Sequence, residues 1–276
     1  MTSRESANRQ FTPEETAHLF ELATHPALLL TKTEFQGLEG APGCWLGGFP
    51  TLPFYIDWPW VERDGAPLVP MHFMAQIRLD SLPLGDDFAP IPRQGTLFFF
   101  ANYCEHQEGQ TGSVSVIHVT QDVSACPERA MPPFPEDFWD EVDLCGWFDE
   151  PEPFRKWPVT VRKFDSLNSE FSQNAGWQQK AWKRGSEIYQ TLFETPVTAP
   201  GNPALKAPRQ GGVVHTMFDF LGDRDRDLMR DRQIPLLRLE IDRDWGFEYG
   251  HYLGFYIPPE ALKAHDFSQA FACTLT

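Results

Sequence analysis

One stretch constrains the fold of this chain more than any other: Trp45 to Phe100, which reads WLGGFPTLPFYIDWPW, then VPMHFMAQIRLDSLP, then RQGTLFFFA. A glycine pair (Gly47, Gly48) opens it, and Pro50, Pro53 and Pro59 punctuate an aromatic run. Two apolar segments of strand length follow, separated by a Leu-Pro turn. A comparable arrangement returns late in the chain as IPLLRLEIDRDWG (Ile234 to Gly246) and HYLGFYIPPEAL (His251 to Leu262). Setting Asp80 against Asp242 places Ile77 on Leu239, Leu79 on Ile241 and Gln76 on Arg238, while Leu97 and Phe99 fall on Leu253 and Phe255. Strand, acidic turn, strand recurs in both halves, the mark of an internal repeat.

Composition supports a folded, turn-rich chain. Apolar residues make up 41%, with 23 Phe and 9 Trp, enough to bury a sizeable core; 25 Pro and 20 Gly favour short strands over a helical bundle. The net charge of −16 disfavours nucleic acid, because each phosphate contact needs a Lys or Arg. The same charge also serves solubility alone. Five widely spaced cysteines without a CxxC pair fit reduced thiols. The polar start MTSRESANRQ lacks a signal-peptide core, and no run reaches the roughly 18 apolar residues of a membrane helix. A cytoplasmic protein without membrane partners is therefore expected.

In chain order, Thr12, Pro13 and Glu15 form a capping-box start for a helix to about Ala23, which stops before His25-Pro26. Ala27 to Phe35 is expected to be a first strand. Met71 to Leu79 alternates, with His72, Met74, Gln76 and Arg78 on one face and Phe73, Ala75, Ile77 and Leu79 on the other, as in a half-buried strand ending at Asp80. Ser113 to Thr120 and Trp157 to Phe164 are further strands, and Gly176 to Glu194 a helix. The Pro/Gly-rich Thr195 to Gly212 is the candidate boundary between lobes, and Asp223 to Arg232 a charge-laced turn or helix end. A last helix begins at Pro258-Pro259-Glu260, and Phe267 to Leu275 closes the chain as a strand. The expected organisation is a single domain over residues 1–276: lobe one about 27–120, an acidic-aromatic and helical insertion about 121–212, and lobe two about 213–276.

Two features invite a functional reading. In GGxPxLPxxxxWP the glycines permit positive φ and the prolines hold an extended path, so Trp58 becomes a rigid anchor across a neighbouring strand; the same features suit a ligand groove. Pro132 to Phe154 holds eight acidic residues and no basic one, interleaved with aromatics that include Trp139 and Trp147. It is either a solvated lid with inward aromatics or an interface for a basic protein, with aromatic anchors ringed by carboxylates.

The segments LGGFPTLP…DWP, HFMAQIRLDSLP and GTLFFF, together with LLRLEIDRDWG and FYIPPEALKAHDFSQAFACTL, resemble the YwqG-like family of bacterial proteins, a domain of unknown function. The resemblance covers roughly residues 27 to 103 and 213 to 275 and implies an α+β fold, here β-rich, with a repeated strand-turn-strand module in two lobes and peripheral helices. It also implies a distant similarity to programmed-cell-death-2-type proteins, associated with escorting a newly made ribosomal protein, and a family whose members also occur as immunity proteins encoded beside toxins. The second copy departs from the family pattern: His215 is present, but Asp219, Phe220 and Leu221 replace the expected Gly-aromatic-Pro turn, and Arg238 stands for the family glutamine.

No P-loop, GxSxG elbow or Rossmann glycine pattern occurs, and Cys104 with His106 is the one close Cys/His pair, so neither a cofactor nor a metal is expected. The preferred function is a non-enzymatic protein-binding module, immunity or chaperone-like, with a basic toxin or client as partner. Its candidate binding residues are Trp45, Gly47, Gly48, Pro50, Trp58, Gln76, Asp80, Trp139 and Trp147, and in the second copy His215, Asp242 and Trp245. The alternative is a hydrolase or small-ligand protein using Asp80, Asp242, His72 or His215 in a cleft between the repeats.

Overall fold

The computed structural model describes residues 12–33, 40–63, 66–102, 114–135, 154–167, 180–181, 183–184, 187–188, 197–199, 202–205, 215–219, 233–242 and 247–275. The N-terminal helix, Pro13–Ala23, starts with the expected capping box: Glu15 N donates to Thr12 Oγ1 (3.1 Å) and Thr12 N to Glu15 Oε2 (2.9 Å). Pro26 cannot continue it, so the chain passes at once into β1 (Thr24–Lys32), three residues before the expected strand start.

The remaining strands are β2 (Trp45–Leu46), β3 (Trp60–Arg63), β4 (Ala66–Pro70), β5 (His72–Arg78), β6 (Thr96–Ala101), β7 (Val114–Val119), β8 (Trp157–Leu167), β9 (Val197–Ala199), β10 (Asn202–Leu205), β11 (His215–Met217), β12 (Ile234–Asp242), β13 (Phe247–Ile257) and β14 (Phe271–Leu275). Ten of them form one sheet in the order β14-β13-β12-β11-β1-β8-β2-β5-β6-β7, every neighbour antiparallel. The edge strands β7 and β14 come within 8 Å of each other at Cα, so the sheet is nearly closed into a barrel.

This corrects the expected α+β fold of two lobes with peripheral helices. Among the described residues the α-helices with defined bounds are Pro13–Ala23 and Pro259–Lys263; residues 180–181, 183–184 and 187–188, within the expected Gly176 to Glu194 helix, are also helical. The continuous sheet depends on β8, which belongs to the stretch expected as an insertion. It pairs with β1 along its length and with β2 on its other side. Closure gives the sheet an inside and an outside, both of which bury apolar side chains. Inside lie Leu28, Leu46, Ile77, Phe99, Val159, Leu237 and Phe255; outside the first half, Trp45, Trp58, Phe73, Phe98 and Phe100 form a second cluster. The half-buried alternation expected for β5 is therefore absent. His72 to Ile77 are all buried, and a bulge between Phe73 and Ala75 breaks the period of two.

The halves are related by register. Ile77 pairs with Leu97 and Ala75 with Phe99; Leu239 pairs with Leu253 and Leu237 with Phe255. Each half carries a bulge at the same place, Phe73/Ala75 in one and Pro235/Leu237 in the other. Trp45 opposite Gln76 is matched by Thr216 opposite Arg238. The path β8-β2-β5-β6-β7 is thus repeated as β1-β11-β12-β13-β14, and the antiparallel β1–β8 pair joins the two.

Candidate functional site

The most distinctive structure outside the sheet is the proline-punctuated connection from β2 to β5. Gly47 and Gly48 take positive φ (61° and 67°), which turns the chain out of β2 across the outer face. Gln76 then ties the connection down: its Oε1 accepts from Thr51 N (2.9 Å) and Thr51 Oγ1 (3.1 Å). Trp58 is 2% exposed and packs edge-on against Phe100, with centroids 5.2 Å apart. Its indole has a further task. Met71 N donates to Pro59 O (2.9 Å), but Pro59 has no N–H to return, and Trp58 Nε1 supplies the bond to Met71 O instead (3.0 Å).

A second segment, residues 121–135, clasps this strap. Arg129 N donates to Pro50 O (2.8 Å) and Arg129 Nη1 to Ile56 O (2.6 Å), which holds the guanidinium 6.0 Å from the Phe54 centroid and 5.9 Å from that of Trp58. Lys156 pairs with Glu128 and lies 3.9 Å over the Trp45 ring. Gly48 makes room for that strut: a Cβ there would sit 2.6 Å from Lys156 Cβ. His72 is enclosed between Phe134 (5.6 Å) and Phe154 (5.8 Å), and burial pushes its pKa down to about 4.

The anchoring leaves an apolar outer surface. Five large apolar side chains are exposed among the described residues, and four belong to the strap: Phe54 (73%), Tyr55 (71%), Trp60 (41%) and Leu68 (50%). They alternate with anchored neighbours. Leu52, Pro53, Trp58, Val61 and Val69 are buried against the sheet, while Phe54 and Tyr55 follow Pro53, Trp60 precedes Val61 and Leu68 precedes Val69 on the solvent side. Sequence reasoning missed these four because DWPW gives two tryptophans of equal promise. Only the register of the β3–β4 hairpin, with Val61 opposite Val69, shows that Trp60 points the other way.

Of the residues expected to bind, Trp45, Gly47, Gly48, Pro50, Trp58 and Gln76 do come together, as the underside of the strap. Asp80 lies apart, exposed in the turn Leu79–Ser81, where both its oxygens accept from Arg78 at 2.8 Å and hold its pKa below the usual carboxylate range. His215 is buried on β11 opposite Leu30. Asp242 ends β12, which four strands separate from β5 in the sheet order. Trp139, Trp147 and Trp245 lie outside the described residues. His72 and Asp80 stand at opposite ends of β5, roughly 20 Å of strand apart, so they share no site. Among the described residues no group of three or more His, Cys, Asp or Glu could hold a metal ion, and no helix is long and apolar enough to cross a membrane.

A buried polar cluster occupies the second half at the place equivalent to the glycine turn. Phe218 takes the positive φ of Gly47 (58°), and Asp219, in the position of Gly48, accepts from Ser166 Oγ at 2.5 Å. His25, opposite Ser166 in the β1–β8 ladder, has its pKa lowered by burial, an effect that the nearby Asp219 opposes.

Fold and surface together define a class: a nearly closed antiparallel β protein with duplicated halves and an aromatic strap over one of them. The sequence matches DUF1963, a domain of unknown function, over residues 45–274, and the chain belongs to that family. No curated protein matches it.

Proposed function

We propose that this protein is a non-enzymatic protein-binding module of the YwqG-like kind, immunity or chaperone-like, working in the cytoplasm on a basic partner. The observation that carries this reading is the strap, which holds Phe54, Tyr55, Trp60 and Leu68 outward on a framework pinned by Trp58, Gln76 and Arg129. Pre-ordered aromatics lose little entropy on binding and are typical anchors of protein interfaces. The net charge of −16 favours a basic partner, and the acidic-aromatic segment with Trp139 and Trp147 adds carboxylates to the same chain. The wide separation of His72 from Asp80 favours binding over hydrolysis.

Affinity purification of the tagged protein from its native cells in low salt, with mass spectrometry and a salt titration, tests this reading. A stoichiometric basic partner released by salt is expected. If repeated preparations yield no partner, or one indifferent to salt, the proposal fails.

A further inference from the structure

The β3–β4 hairpin is a sheet of two strands, each with one open edge among the described residues. Those edges are not alike. Because Met71 N donates to Pro59 O, Pro59 and Met71 form a hydrogen-bonded pair, and the next pair, Trp60 and Pro70, is a non-hydrogen-bonded one. In such a pair the backbone groups of both residues point away from each other, toward the two edges. On the β4 side the outward residue is a proline, which has no N–H to offer, and Pro67 lies on the same strand. On the β3 side the outward residue is Trp60, with both N–H and C=O, on a strand without proline. One edge is blocked and the other is open, and the open one carries an exposed tryptophan.

Resting on the protein-binding reading above, we infer that the β3 edge accepts an extended basic segment of a partner protein as a third strand, in contact with the side chains of Phe54, Tyr55 and Trp60. An open edge selects extended backbone, since only that geometry meets its N–H and C=O groups in register. The choice of a basic segment follows from the charge of −16, from Asp57, exposed between Tyr55 and Trp60 in the sequence, and from Asp122, exposed one residue after Gln121. Gln121, beside Asp122, accepts from Tyr55 OH at 3.2 Å. Arg129 lying over Phe54 shows how a cation sits against this surface. The strand is short, so backbone bonds set direction and register while the aromatics supply the contact area.

The test uses the full chain and a short synthetic peptide alternating Lys and Val, alongside the same peptide N-methylated on alternate residues. Strand addition predicts that the plain peptide binds and that methylation on the bonding side weakens it about tenfold, the loss expected for one or two hydrogen bonds. Trp60→Ala and Trp60→Pro separate side chain from backbone: both remove the indole, but only proline removes the outward N–H, so W60P should bind more weakly than W60A. Equal affinity of the two peptides in every register of methylation would overturn the inference even if W60P fails to fold. So would binding only between copies of this chain, seen as concentration-dependent dimers that ignore the peptide. A native partner lost on Phe54→Ala and Tyr55→Ala substitution but indifferent to W60P against W60A would remove strand addition alone and leave the module reading standing.

Discussion

The two halves share one register and differ in what lies outside it. At matching positions the first half places Trp45, Gln76, Phe98 and Phe100, and the second Thr216, Arg238, Gly254 and Tyr256. The first set is apolar, apart from a glutamine that fastens the strap. The second is mixed: Arg238 pairs with Glu240 at 3.0 Å and lies 4.3 Å over the Tyr252 ring. Inside the sheet the halves agree, Ile77 and Phe99 against Leu239 and Phe255, because a nearly closed sheet imposes the same burial on both. The inner face is thus set by closure and the outer face by its connections. The connection from Leu46 to His72 carries its own prolines, tryptophans and hairpin, and the apolar outer layer of the first half exists to receive it.

If the strap depends on that layer, removing its anchor should have the largest effect. Trp58→Ala is expected to cost about 4 kcal/mol in chemical denaturation, since it takes away both a buried indole and the bond that completes Met71 O. A loss below about 1 kcal/mol would show that the strap is not held as described.

The next effect is one of pH. His72 stays neutral in the folded state down to about pH 4, whereas the unfolded chain takes up that proton near 6.5. Between these values the unfolded state binds more protons, so stability rises with pH and is lost as pH falls from 6.5 toward 4. The loss is on the order of 3 kcal/mol. His72→Phe, an aromatic of similar shape between Phe134 and Phe154, should shrink the acid-side loss by that amount; an unchanged pH profile would contradict the burial assigned to His72.

Gly48→Ala probes the difference between the two turns. It places a Cβ against Lys156 at positive φ and should cost about 2 kcal/mol, read as a lowered denaturation midpoint. The smallest effect belongs to the surface. Phe54→Ala and Leu68→Ala should each change stability by less than about 0.5 kcal/mol, because both side chains already meet solvent.

Much of the framework was legible in the sequence because its signals are local. Thr12 and Glu15 announced the first helix, the glycine pair its positive φ, and Trp58 its anchoring role. The repeat could be aligned residue by residue since apolar spacing survives in both copies. What could not be read was long-range. β8 looked like part of an insertion, because nothing in WPVTVRKF says that it pairs with β1 on one side and β2 on the other. The bulge after Phe73 hid the two-sided burial of β5 behind an apparent alternation. The exposed face of the strap depends on which of two neighbouring tryptophans points inward, a choice made by hairpin register and by the missing N–H of Pro59.

In the proposed function the first half of the molecule is the docking half. Hydrogen–deuterium exchange on the complex with the co-purified partner, against the free protein, tests that directly. Slowed exchange concentrated over residues 54–70, with β11 to β14 unchanged, is the predicted result. Slowing confined to β11 to β14, with the strap exchanging as in the free protein, would contradict it.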